Sequence, residues 1–151
     1  MKQKPILIII GLAIIAGIIV AFVLASANKR QPLPPSEQQS LITELSLLAQ
    51  DFFNNLAEKN YQEATSNFNG EMNEKMPPQE LENIHNQITQ KIGDLTTLGN
   101  PNLSKQDDNL VLEYIASFER EDNVTIQLIF NKEPDGYKIA GLWFDSPKLK
   151  E

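Results

Sequence analysis

The sequence predicts an α+β domain behind a membrane helix: three N-terminal helices packed on a curved, mostly antiparallel four-stranded sheet, cone-like in outline, preceded by one transmembrane helix. Three observations carry that reading. Residues Ile6 to Ala27 run for 22 positions without a charge. Between Ser36 and Ile92, apolar residues recur three and four apart, the period of a helix. From Asp94 onward the period falls to two, the alternation of a strand. Helices that come first, with strands after them, give α+β rather than the alternating α/β order.

The opening segment has Ser26 as its only polar side chain. As a helix it reaches roughly 33 Å, about the thickness of a bilayer's hydrocarbon core. In lipid only a helix satisfies its own backbone hydrogen bonds within one segment. Lys2 and Lys4 precede it and Lys29 and Arg30 follow, so the charge bias toward an inside N-terminus is slight. The short tail, residues 1–5, is the stronger reason to expect the remainder outside. Cleaved signal peptides have apolar cores of roughly 7–15 residues, so this longer one is expected to stay as a signal anchor. Ala25-Ser26-Ala27 keeps cleavage after Ala27, and secretion, as the alternative. Ala13, Gly17, Ala21 and Ala25 place small side chains on one stripe, where a second membrane helix could approach closely. The expected partner of residues 6–27 is therefore the lipid bilayer, in a single-pass protein of the cell membrane.

Residues 31–151 carry all 20 acidic residues and nine of the 13 basic ones, a net charge of −11. A nucleic-acid or anionic-lipid binder needs the opposite sign, so no nucleic-acid partner is expected. There is no cysteine, which excludes disulfides, thiolate metal sites, a cysteine nucleophile and a lipidated cysteine. The length suits one domain, expected over residues 36–146 with a tail over 147–151.

Residues 28–35, NKRQPLPP, read as a Pro-rich, semi-rigid linker. Ser36 with Gln39 forms a capping box for the first helix, whose stripe is Leu41, Leu45, Leu48, Phe52 and Leu56, widened by Ile42, Ala49 and Phe53. It is expected to run to about Lys59. A short second helix follows from Tyr61 to about Phe68, ended by a turn at Asn69-Gly70. Pro77 and Pro78 start the third helix, Leu81, Ile84, Ile88 and Ile92 form its stripe, and Gly93 stops it. Strands are expected at Asp94 to Leu98, Leu110 to Glu119, Val124 to Phe130 and Tyr137 to Phe144. Turns at Gly99-Asn100-Pro101-Asn102, Glu121-Asp122-Asn123 and Glu133-Pro134-Asp135-Gly136 separate them.

This order, together with FFNNLAEKNYQEATSNFNGEM, MPPQELENIHNQI, Lys91-Ile92-Gly93 and GYKIAGLWF, resembles a small domain-of-unknown-function family (family 3887) with a nuclear-transport-factor-2-like, cystatin-like cone fold. The resemblance spans about Leu48 to Phe144. It implies the cone fold and an anchored single domain, and carries no catalytic motif.

His85 is the only histidine and sits at the edge of the third helix's stripe, where it could face the mouth of a cone-shaped pocket. A general base there needs a carboxylate or hydroxyl partner, which the sequence does not supply, and a packed histidine is the blander reading. Tyr61, Tyr114 and Asp51 are the residue types an acid-base isomerase on a cone would use, but fold alone does not license that activity. With one histidine and no cysteine a zinc site is disfavoured. Asp107, Asp108, Glu133 and Asp135 should share one end of the sheet, without the alternating ligands of a calcium loop. No metal or cofactor is expected.

The inner faces of the strands suggest a small apolar pocket, with His85, Tyr114, Phe118 and Trp143 as its candidate wall. On the opposite face Val111, Ile115, Ile129, Leu142 and Phe144 form a candidate interface for a homodimer or a partner protein. The leading functional expectation is a membrane-anchored extracytoplasmic domain that binds a protein or a small apolar ligand without catalysis. The alternatives are a pocket hydrolase or isomerase using His85 or a tyrosine/carboxylate pair, and a purely structural dimerisation module.

Overall fold

The structure, a computed structural model, describes Arg30, Gln31 and residues 34–151. The expected transmembrane helix 6–27, with its small-residue stripe and cleavage motif, lies outside these. Among the described residues no helix is long and apolar enough to cross a membrane. Gln31–Glu151 forms one compact unit.

Helix α1 spans Pro35–Ala57. The expected capping box is not made: the helix begins one residue earlier, with proline in its first turn and no side-chain cap. Proline's fixed φ suits that position. The Pro34 carbonyl accepts the free amides of Glu37 and Gln38, at 3.2 and 3.0 Å. The stripe is as the spacing predicts, with Leu45, Ala49, Phe52, Phe53 and Leu56 buried. Helix α2, Tyr61–Ala64, continues as the 3-10 turn Thr65–Asn67. Asn69-Gly70 is not a terminating turn. Asn69 caps a further helix, α3, Gly70–Lys75, by accepting the Met72 amide at 2.8 Å. Helix α4, Pro78–Ile92, starts on a proline and stops at Gly93, as expected.

The strands are β1 Arg30–Gln31, β2 Leu95–Leu98, β3 Asn102–Gln106, β4 Asn109–Phe118, β5 Glu121–Glu133 and β6 Gly136–Asp145. The order is β1-β3-β4-β5-β6, with β2 also on β4, and the sheet is open. The pairings among β2 to β6 are antiparallel. Five strands thus make the body of the sheet where four were expected. The added strand is β3, whose NLSKQ has a single large apolar residue, and which reaches β4 through a two-residue turn at Asp107-Asp108 with Asp107 at φ 53°. Strand β5 starts at Glu121, so the expected turn Glu121-Asp122-Asn123 lies within it.

One local feature overturns half of the expected face assignment. Ile129 of β5 faces Gly141, but Phe130 faces Ile139, so Ala140 is an extra residue in β6. A bulge of one residue inverts the alternation beyond it. Ile139 lies on the inner face, opposite Phe130. Past the bulge, Leu142 and Phe144 are inner, opposite Leu128 and Ile126, while Trp143 is outer, opposite Gln127.

The core lies between the helices and this inner face. Phe52, Leu112, Ile126, Leu128, Phe130 and Ile139 are fully buried there. On the outer face Val111 and Ile129 are buried as well, and Ile115 is 51% exposed. The C-terminal 3-10 turn Lys148–Lys150 packs on α4, where Leu149 meets the edge of the core and its carbonyl accepts Lys91 Nζ at 3.4 Å.

Candidate functional site

Two opposed elements leave a cavity of about 770 Å3 between them. One wall is α1, through Ser46, Gln50, Phe53 and Asn54, and α4, through Leu81, Ile84, His85 and Ile88. The other is the sheet, through Tyr114 and Phe118 of β4 and Leu142 and Phe144 of β6. The segment Gly93 to Pro101 closes one side. Gln50, Asn54, Thr96, Thr97 and Asn100 are exposed and give the opening a polar rim, with the exposed methyl of Ala57 beside them.

Local sequence explains the shape. Strands β2 and β3 share one edge of β4: Leu98 faces Ala116, and Asn102 faces Glu113. The chain between them must press against β4 to stay in line. At Gly99 a Cβ would sit 2.6 Å from the Ile115 carbonyl oxygen, so no other residue fits that approach. Aromatic edges then fix the walls: Phe53 meets Tyr114 edge-on at 6.2 Å between ring centres, and Phe118 meets Phe144 at 6.4 Å.

His85 is half-buried on the cavity wall. The hydroxyl partner absent from its sequence neighbourhood comes from Tyr61, 24 residues away, at 3.0 Å from Nδ1. Burial lowers the imidazole's pKa, partly countered by Asp94, with Lys59 lowering it further. Burial also raises the Tyr61 phenol, with Glu82 adding to the shift. A neutral imidazole beside a protonated phenol is satisfied when the Tyr61 hydroxyl donates to Nδ1, leaving the hydrogen on Nε2.

Tyr114 is buried in the wall, and burial pushes its phenol pKa up. The Ser46 hydroxyl offsets part of that shift as a hydrogen-bond partner of the phenol, at a geometry looser than that of a well-formed bond. Among the described residues Ser46 Oγ is the one buried side-chain polar atom that lacks a hydrogen bond of good geometry. Sequence reasoning passed over Ser46, because a serine beside an apolar stripe reads as solvent-facing.

The expected residues divide as follows. His85, Tyr114 and Phe118 line the cavity, and Trp143 does not, because the Ala140 bulge turns it to the outer face. Leu142 and Phe144, expected on the outer face, line the cavity instead. Val111, Ile115 and Ile129 remain on the outer face, and only Ile115 of these is exposed. Asp51 is away from the cavity, where its carboxylate accepts from Asn67 Nδ2 at 2.7 Å. Asp107, Asp108, Glu133 and Asp135 do share one end of the sheet, and among the described residues no three acidic or histidine side chains are grouped to hold a metal.

The family model described as "Protein of unknown function (DUF3887)" matches residues 49–142, more than half of the chain. No curated protein matches it. Among solved structures the chain is similar to Bd1075 of Bdellovibrio bacteriovorus, at 13% identity and a TM-score of 0.52, over 76% of this chain and 44% of that one. The likeness is one of fold, and the chain spans less than half the length of that neighbour.

Proposed function

This chain belongs to the DUF3887 family of proteins of unknown function, and on that premise we propose a membrane-anchored, extracytoplasmic domain that binds a small, largely apolar ligand without catalysis. The observation that carries the reading is the cavity of about 770 Å3, within the ~300–1,000 Å3 range of small-molecule sites, where Phe53, Leu81, Ile84, Ile88, Phe118 and Phe144 face a mixed set of polar side chains. In this reading the helices and open sheet form a cone-like body of the nuclear-transport-factor-2 type, and the cavity is its mouth. The anchor rests on the uncharged run Ile6 to Ala27, and the outside location on the short tail before it. A second copy or a partner protein would meet the outer face at Ile115, a smaller patch than five apolar residues would make.

The second reading, a pocket enzyme, draws on the Tyr61–His85 hydrogen bond, which leaves the Nε2–H as the ring's remaining polar group. It ranks below binding because Asp94 acts on the imidazole only through space, and no carboxylate is bonded to it among the described residues.

A thermal-shift screen of neutral aromatic fragments on the full chain in lipid nanodiscs tests the binding reading. A ligand that binds only the folded state raises the unfolding midpoint. Fragments should raise it in the wild type and not in Ala57→Trp, which fills the rim. No shift, or equal shifts in both proteins, argues against the cavity as the site.

A further inference from the structure

We propose that His85 is the ligand-orienting donor of this cavity: Tyr61 holds its imidazole as the Nε2–H tautomer, and that N–H donates to a neutral oxygen, such as a ketone or ester carbonyl, on an otherwise apolar ligand. The inference rests on the binding reading above and deepens it. His85 makes the contact, and Tyr61 is the positioning residue behind it.

The first reason is what holds the ring. Tyr61 of α2 meets it edge-on, 5.8 Å between ring centres, with its hydroxyl 3.0 Å from Nδ1. Among the described residues that hydroxyl has no other hydrogen-bond partner, so Nδ1 takes its hydrogen. The proton of a neutral histidine is placed by the bond that the other nitrogen makes, which here leaves it on Nε2. The second reason is that Nε2 is open. It has no hydrogen-bond partner among the described residues, yet it is not one of their buried unsatisfied atoms, so it keeps surface that another molecule can reach. Tyr61 is buried and stands outside the cavity lining, whereas His85 belongs to it. The two ring nitrogens point apart, so the bond to Tyr61 turns Nε2 away from α2 and toward the cavity. The third reason is the setting. Leu81, Ile84 and Ile88 flank the ring on α4, and one donor in an apolar wall orients a ligand more than it adds affinity. Burial disfavours the imidazolium, so the ring offers an N–H without a full charge, and Asp94 acts on that ring through space. An anion at Nε2 would meet the Asp94 charge, and a neutral oxygen would not. A ring fixed with its hydrogen on Nε2 donates there and cannot take a proton there, which separates this role from that of a general base.

The test uses the full chain in lipid nanodiscs, with empty nanodiscs subtracted. His85 is the only histidine, so nitrogen NMR of isotope-labelled histidine reports on this one ring. At pH ~8, above the ordinary histidine range, Nε2 should carry the hydrogen and Nδ1 should be bare, and Tyr61→Phe should mix the two tautomers. Adding 4-fluoroacetophenone should move the Nε2–H signal and slow its exchange with water. Ligand-observed fluorine NMR then compares this ketone with 4-fluorobenzoate and 4-fluoroethylbenzene, probes of one size. His85→Leu should weaken the ketone by about 2- to 10-fold, the span of one neutral hydrogen bond, and leave ethylbenzene unchanged. His85→Gln, whose amide N–H has about the reach of Nε2, should keep more of the ketone affinity than His85→Leu. Four results would each overturn this inference and leave the binding reading standing: a bare Nε2 in the wild type, a bound ketone that leaves the Nε2–H signal unmoved, ketone affinity retained in His85→Leu, or benzoate bound as tightly as the ketone. If none of the three probes binds the wild type, the binding reading fails and this inference fails with it.

Discussion

If Ala140 is the extra residue in β6, the two substitutions Leu142→Asp and Ile115→Asp should have unequal costs. Leu142 is half-buried on the inner face and packs against the core, while Ile115 is 51% exposed on the outer face. Fully burying a leucine or isoleucine is worth ~1.5–3 kcal/mol, and since each side chain buries about half its surface or more, a loss of about 1 kcal/mol is common to both sites. A carboxylate held against the apolar wall adds about 1–3 kcal/mol in incomplete hydration. Aspartate's poor fit to a strand, ~1 kcal/mol, is common to both sites. Leu142→Asp should therefore cost about 2 kcal/mol more than Ile115→Asp. Urea unfolding followed by the fluorescence of Trp143, the only tryptophan, reads both on one scale. Equal costs, or a larger cost at Ile115, would mean that Leu142 points outward with it and that the bulge is absent.

Two further outcomes follow from the same geometry. Because burial holds the His85 pKa below its ordinary value, the folded protein binds fewer protons than the unfolded chain as the pH falls below ~6.5. The His85 contribution is complete above that pH and is lost on acidification, so wild-type urea midpoints should fall more steeply than those of His85→Gln between about pH 7 and 5. Parallel curves would contradict the burial argument. Gly93 has φ 86° and ψ −171°, a region almost confined to glycine, and a Cβ there would lie 2.6 Å from Glu119 Cβ. Gly93→Ala should cost about 1–3 kcal/mol or more, whereas Gly70→Ala, in open space at the start of α3, should be close to neutral in the same urea assay.

How much of this was legible depended on whether the signal was local. Helix α4 was readable because proline, a four-position apolar stripe and glycine mark its start, face and end within 17 residues, from Pro77 to Gly93. Strand β3 was not, because its register comes from pairing with β4 and its turn uses Asp107 where a glycine would have signalled it. The bulge left a faint trace: Tyr137 and Ile139 are in one phase of the alternation, and Leu142 and Phe144 are in the other. Trp143 as a large aromatic in the first phase masked that slip. The site was least legible of all. Tyr61 reaches His85 across 24 residues, and Ser46 of α1 meets the Tyr114 phenol of β4 from the opposite layer.

The claim that this cavity is a ligand site is tested most directly by native mass spectrometry of the full chain, released in the gas phase from the membranes in which it was made. The account predicts one neutral small molecule per chain, on the order of a few hundred daltons to suit a site of this size, and its loss in Ala57→Trp. Bare protein mass in the wild type, or an adduct that Ala57→Trp retains, would contradict it.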